Sequence, residues 1–171
     1  MPSKAFDRFV FSCFGTSFAA VHDGLDVEAL RALEGAEREE AARLILDAIP
    51  ATRESRPMEA AAYLPLLEAI PLLRARLADN GLSSDARIWT AWALYRLSRD
   101  PAAVSVVLDI LKVINPSRRY YHDWMTGLHA LEEFDLTPQV LDAGVALVVR
   151  VKPSVLLTET MQRLFGHRRL G

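Results

Sequence analysis

The sequence predicts an all-α protein, and three observations carry that expectation. Ala, Leu, Arg and Glu, all strong helix formers, dominate the chain. Apolar residues recur at helical spacing nearly everywhere, and even the Val-rich run at 146–149 continues a helical pattern without alternating. Proline, asparagine and glycine then cut the pattern into about 8–10 short helices.

Each element follows from its own residues. Over residues 4–21, Phe6, Val10, Cys13, Phe14, Ser17 and Val21 fall on one side, which predicts a first helix with Gly15 as its weak point. Asp26 is placed to cap a short helix through Leu33, which Gly35 ends. Residues 36–49 form the next helix, with Ala41, Leu44, Ile45, Ala48 and Ile49 as its buried stripe, and Pro50 stops it. A polar link over 51–56 follows, and Pro57 suits a first helical position. Residues 58–79 contain Pro65 and Pro71, so two short helices or one kinked helix are expected before Asn80-Gly81. Ser84 is expected to cap a helix over 85–98, and Asp100-Pro101 opens another to about residue 114. Asn115-Pro116 breaks the chain. Ser117 caps a helix over 118–132, Thr137-Pro138 opens the next to residue 151, and Pro153 starts a last helix to residue 165. Residues 166–171 form a basic tail.

Length and composition bound the rest. With 171 residues, 51% hydrophobic and 25% charged, the chain is one ordinary folded domain. Its 20 Lys plus Arg against 22 Asp plus Glu give a net charge of −2, a poor balance for coating nucleic acid or an anionic membrane. A single cysteine, Cys13, excludes an intramolecular disulfide framework and a multi-cysteine zinc site. No apolar run approaches the roughly 20 residues that span a bilayer. Lys4 and Arg8 before an apolar stretch imitate a signal peptide, but Asp7 and the dilution by Ser12, Gly15, Thr16 and Ser17 argue against one. A cytoplasmic location is expected.

Two helix pairs are related to each other. Leu94 and Leu97 map on Leu128 and Leu131 with an offset of 34, and Pro101 maps on Pro138 with an offset of 37. Val104, Leu108 and Leu111 then match Leu141, Val145 and Val148, and residues 42–49 are a looser third copy. Helical pairs repeating at such a period predict a short α-solenoid, in which stacking buries stripes that no pair can bury alone. The expected organisation is an N-terminal cap over 1–33, repeats over about 36–80, 84–114 and 117–151, and a C-terminal cap helix over 153–165.

The stretch from Ser84-Asp85-Ala86-Arg87 through Trp92-Ala93-Leu94, followed by Val104, Val107, Leu108 and Leu111, resembles the HEAT-like (armadillo-type) helical repeat family. There an Asp and an Arg precede an Ala- and Leu-rich first helix, and spaced aliphatics mark the second. The resemblance covers residues 37–151, and only 85–111 lie close to the pattern. The copy beginning Arg118-Arg119-Tyr120-Tyr121 lacks the Asp-to-Arg opening, which puts a regular superhelix in doubt. A helical bundle is the alternative.

Catalytic motifs are nearly absent. There is no glycine-rich phosphate loop and no G-x-S-x-G elbow. Cys13 lies in an apolar run with no charged helper nearby, as an inert buried thiol would. His22-Asp23 and His122-Asp123 resemble the dipeptide of HD-type metal phosphohydrolases, but they stand 100 residues apart without the rest of that set. His129 and Glu133, four apart on one helix, could share a metal; the alternative is a solvated histidine beside an exposed acid. No metal site and no cofactor are expected.

The candidate binding residues are of two kinds. Arg118, Arg119, Tyr120 and Tyr121 bring Arg and Tyr together at a helix start, and these types are enriched at binding hot spots. Ser105, Asp109 and Lys112, with Gln139 and Asp142, are the polar positions expected on the second helices of successive pairs. Trp92, Tyr95 and Trp124 read as packing residues, with Trp89 at the edge of its stripe. The acidic stretch at 34–40 reads as a solvated face.

The expected function is a non-catalytic protein-binding module. The resemblance implies, most specifically, a bacterial immunity protein that binds and neutralises a toxin. Two further classes follow from the same resemblance: DNA glycosylase-like proteins and modules associated with bilin lyases. The first needs basic residues at equivalent repeat positions, and Lys112 aligns with Val149. Nothing in the chain supports a chromophore site.

Overall fold

The computed structural model describes residues 1–79, 81–114, 121–135 and 137–150, with the backbone alone at 121–124 and 147–150. The described residues fold into α-helices: α1 (Lys4–Phe14), α2 (Phe18–Asp23), α3 (Val27–Arg31), α4 (Gly35–Ala48), α5 (Arg56–Tyr63), α6 (Ala69–Leu77), α7 (Ser84–Ser98), α8 (Pro101–Val113), α9 (Tyr121–Glu133) and α10 (Pro138–Arg150). Among them no strand occurs, and no helix is long and apolar enough to cross a membrane. The expected helix over 153–165 lies outside the described residues.

Helix α7 organises the rest. Ala86, Ile88, Thr90, Ala91, Trp92, Ala93, Leu94 and Tyr95 are all buried, so the helix has an apolar surface on nearly every side. Such a helix needs neighbours all round, and α5, α6, α8 and α9 supply them. Thr90, the polar member of this set, donates its hydroxyl to the Ala86 carbonyl at 2.6 Å. Trp92 packs against Tyr63 of α5 at 5.7 Å and Trp89 at 5.3 Å.

Contacts between α7 and α9 rise along both helices together. Thr126 donates to Asp85 at 2.7 Å, Trp89 meets His129 at 5.5 Å, and Arg96 pairs with Glu133 at 3.3 Å. The two helices therefore run parallel. Leu94 and Leu128, equivalent by sequence, are both 2% exposed. Helices α8 and α10, which follow α7 and α9, also touch each other. On α8 the fully buried positions are Ala103, Val107 and Leu111, while Val104 and Leu108 are only half-buried. On α10 the same shift appears: Val140 and Gly144 are buried and Val145 is half exposed. The offset of 37 holds for the buried positions, Ala103 with Val140 and Val107 with Gly144, while Val104 and Leu108 pack against the interior only in part.

Several starts and stops differ from expectation. Residues 4–21 form two helices, broken after Phe14. A Cβ on Gly15 would stand 2.3 Å from the Phe11 carbonyl oxygen and 2.8 Å from the Ala20 Cβ, so only glycine fits this corner. Arg56, read as part of a polar link, is buried and holds the corner in place. Its Nη1 donates to the Ser12 and Ala20 carbonyls at 2.9 and 3.2 Å, and its Nη2 to Gly15 at 3.0 Å. Gly35, with φ of +51°, opens α4 and does not end α3. The cap of α7 is Ser83, whose Oγ accepts from Ala86 N–H at 3.3 Å, in place of the adjacent Ser84. Pro71 lies in the first turn of α6, where its missing N–H would have no partner in any case. The break falls at Pro65 alone, between α5 and α6.

Glu59 of α5 accepts from Ser55 Oγ at 2.8 Å. Burial pushes its carboxyl up from the ordinary value, the Ser55 bond offsets part of that, and the charge of Asp85 adds to it. A raised folded-state value means that the protonated form suits the fold, so ionisation costs stability as pH rises above about 4.3. Cys13, 1% exposed, has its thiol pushed up to about 12 by burial and is unreactive at neutral pH.

Three outcomes follow for chemical denaturation. Leu94→Ala should cost about 2–5 kcal/mol, and a much smaller loss would place Leu94 outside the packed interior. Gly15→Ala should cost about 1–3 kcal/mol because backbone, not a flexible side chain, stands in the way. Glu59→Gln should gain stability relative to the wild type between pH 4 and pH 7.5, and a pH-independent difference would contradict the buried carboxylate.

Candidate functional site

A concavity lies between α8 and α10. Both helices begin with a cap followed by proline. Asp100 accepts from the Ala102 N–H at 3.0 Å, and Thr137 Oγ1 from the Val140 N–H at 3.3 Å. Between α7 and α8 only Arg99 and Asp100 intervene. Arg99 takes a left-handed conformation, φ of +54°, and its N–H closes on the Tyr95 carbonyl. The second hairpin is tied to the first at this level. Phe134, fully buried, meets the Tyr95 ring edge-on at 4.7 Å, and the Asp135 N–H donates to the Tyr95 hydroxyl at 3.0 Å.

The groove encloses about 540 Å³. Ser105, Leu108, Asp109 and Lys112 line it from α8, and Gln139, Asp142, Ala143 and Ala146 from α10. The structure thus brings together all five polar positions expected on the second helices: Ser105, Asp109, Lys112, Gln139 and Asp142. Each is exposed. Leu108 and Ala143 are half-buried and form an apolar floor.

A second depression of about 370 Å³ continues the groove toward the helix starts, sharing Ser105, Leu108 and Gln139. It adds Tyr95, Arg99, Val104, Asp135 and Thr137, which sequence reasoning did not select. The paired Asp100-Pro101 and Thr137-Pro138 signals could have pointed there, because equivalent helix starts lie side by side in a stack of pairs.

The charges of the groove are unevenly matched. Lys112 Nζ reaches Asp109 Oδ1 at 2.7 Å, and the Arg99 guanidinium stands 5.0 Å from the Tyr95 ring centre. Asp135 and Asp142 carry no salt bridge among the described residues.

The other candidates fall elsewhere. Arg118, Arg119 and Tyr120 lie outside the described residues, and Tyr121 is described by its backbone alone, as the first residue of α9. His129 is packed against Trp89 and Trp92, and Glu133 is paired with Arg96, so the two do not converge on a common ligand. His22 and Asp23 are exposed and 3.2 Å apart, with His22 stacked on Phe18. Among the described residues no three His, Cys, Asp or Glu side chains are grouped to hold a metal ion. The groove combines an apolar floor with hydroxyl and amide groups, carboxylates and the cations Lys112 and Arg99. Comparison with protein-family models, with curated proteins and with solved structures finds no match to this chain.

Proposed function

We propose that the chain is a non-catalytic protein-binding module, built as a short α-solenoid of HEAT-like helix pairs, whose docking surface is the α8–α10 groove. The parallel run of α7 and α9, with α8 against α10, supports the stacked-pair reading. One observation carries the functional reading: five polar positions on two separate helices line a single groove with an apolar floor. An apolar centre with a polar rim is the ordinary anatomy of a protein interface. The most specific form of the proposal is a bacterial immunity protein that binds a toxin and neutralises it in the cytoplasm. Asp109, Asp135 and Asp142 in the groove weigh against the cradling of a nucleic-acid duplex.

Affinity capture from a lysate of the source organism tests this, with wild type and Ala146→Trp side by side. Ala146 is exposed, so the indole fills the groove without entering the interior. One dominant protein, retained by the wild type and lost by the variant, is expected. If that protein is toxic alone and silenced by this chain, the immunity reading stands. Equal capture by both chains, or nucleic acid that salt removes, would contradict the groove. Arg119→Ala with Tyr120→Ala, in the same experiment, reports whether the Arg-Tyr segment contributes; unchanged capture removes it from the surface.

A further inference from the structure

The composition of the groove goes further than its position. We propose that its partner presents a basic, aliphatic segment, a proposal that rests on the reading of the α8–α10 groove as the docking surface.

Val104, Leu108, Ala143 and Ala146 are all aliphatic, and the two α10 residues end at Cβ. Small residues on one wall leave room for the side chains of another chain, and the exposed apolar atoms gain by being covered. From Pro101 to Lys112 the α8 wall is about 17 Å long at 1.5 Å per residue, room for about three turns of a partner helix.

The walls then select charge. Among the described residues three carboxylates, Asp109, Asp135 and Asp142, stand against two cations, and both cations are engaged within the chain. Lys112 is bound to Asp109 at 2.7 Å, and Arg99 lies over Tyr95. Among the described residues an incoming carboxylate would meet Asp142 with no cation paired to it, whereas Lys or Arg would find Asp142 without a salt bridge and Asp135 only partly offset by Arg99. Among the described residues those acids do not gather with a third ligand into a metal site. A cation on a long, flexible side chain reaches exposed carboxylates of this kind from a partner's surface. Charge placed this way governs partner choice and association rate more than raw affinity.

A phage-displayed library of random 16-residue peptides tests the proposal. It is selected on the wild-type chain after depletion on Ala146→Trp, with circular dichroism checking that each variant stays helical. The expected pool is enriched in Lys and Arg interspersed with Leu, Ile, Val or Met. Selected peptides, measured by fluorescence anisotropy, should bind Asp142→Lys at least tenfold more weakly and lose affinity with added salt. Peptides that Ala146→Trp excludes but that lack Lys and Arg, or that bind Asp142→Lys unchanged, would overturn the basic partner while leaving the groove reading intact. Peptides bound equally by Ala146→Trp, or a selection that enriches nothing, would overturn both. A wild-type dimer that Ala146→Trp dissociates would assign the groove to a second copy and overturn the basic segment.

Discussion

Helix α7 cannot exist in water alone, and the rest of the structure answers that constraint. Its apolar side chains point in nearly every direction, with Trp92 fully buried at the centre. One neighbour would cover one stripe; four are needed, and α5, α6, α8 and α9 take the four sides. Once α7 and α9 lie parallel, the short links after each helix return α8 and α10 to the same side, next to each other. The groove between them is thus a consequence of covering α7.

Closing so many short helices creates a second problem. Each helix end leaves carbonyls and amides without helical partners. Side-chain caps at Ser3, Ser17, Asp26, Ser83 and Asp100 satisfy amides at the starts. At two corners, buried arginines do the complementary work for carbonyls. Arg56 serves the corner between α1 and α2, and Arg76 donates to Ile49 and Thr52 at the end of α4. A planar guanidinium reaches several carbonyls at once, which a lysine in the same place would not. Burial lowers the Arg76 value and the charge of Asp79 offsets part of that, the cost of using a charge as a structural pin.

Much of this was legible in the residues. Capping residues before proline marked the starts of α8 and α10, and the helical spacing of Ser105, Asp109 and Lys112 put them on one face. The packing role of Trp92 and Tyr95 followed from a stripe with Ile88. What escaped detection depends on neighbours distant in sequence. Ser83 and Ser84 are chemically equal, and only the incoming chain direction selects the first. Arg56 looks like a polar link residue because nothing local announces the carbonyls it meets more than thirty residues away. The deeper burial of Val107 than of Val104 and Leu108 reflects which side the neighbouring helix covers, and a run of aliphatics fits either choice. Arg99 and Asp135 were missed because links carry no periodicity.

The proposed docking surface is the α8–α10 groove, which a partner would cover. A photo-crosslinking amino acid at Ser105, compared with one at the exposed Arg43 of α4 in living cells of the source organism, tests it most directly. The account expects a single crosslinked protein from position 105 and none from position 43. Crosslinks from 43 alone, or the same products from both, would contradict it.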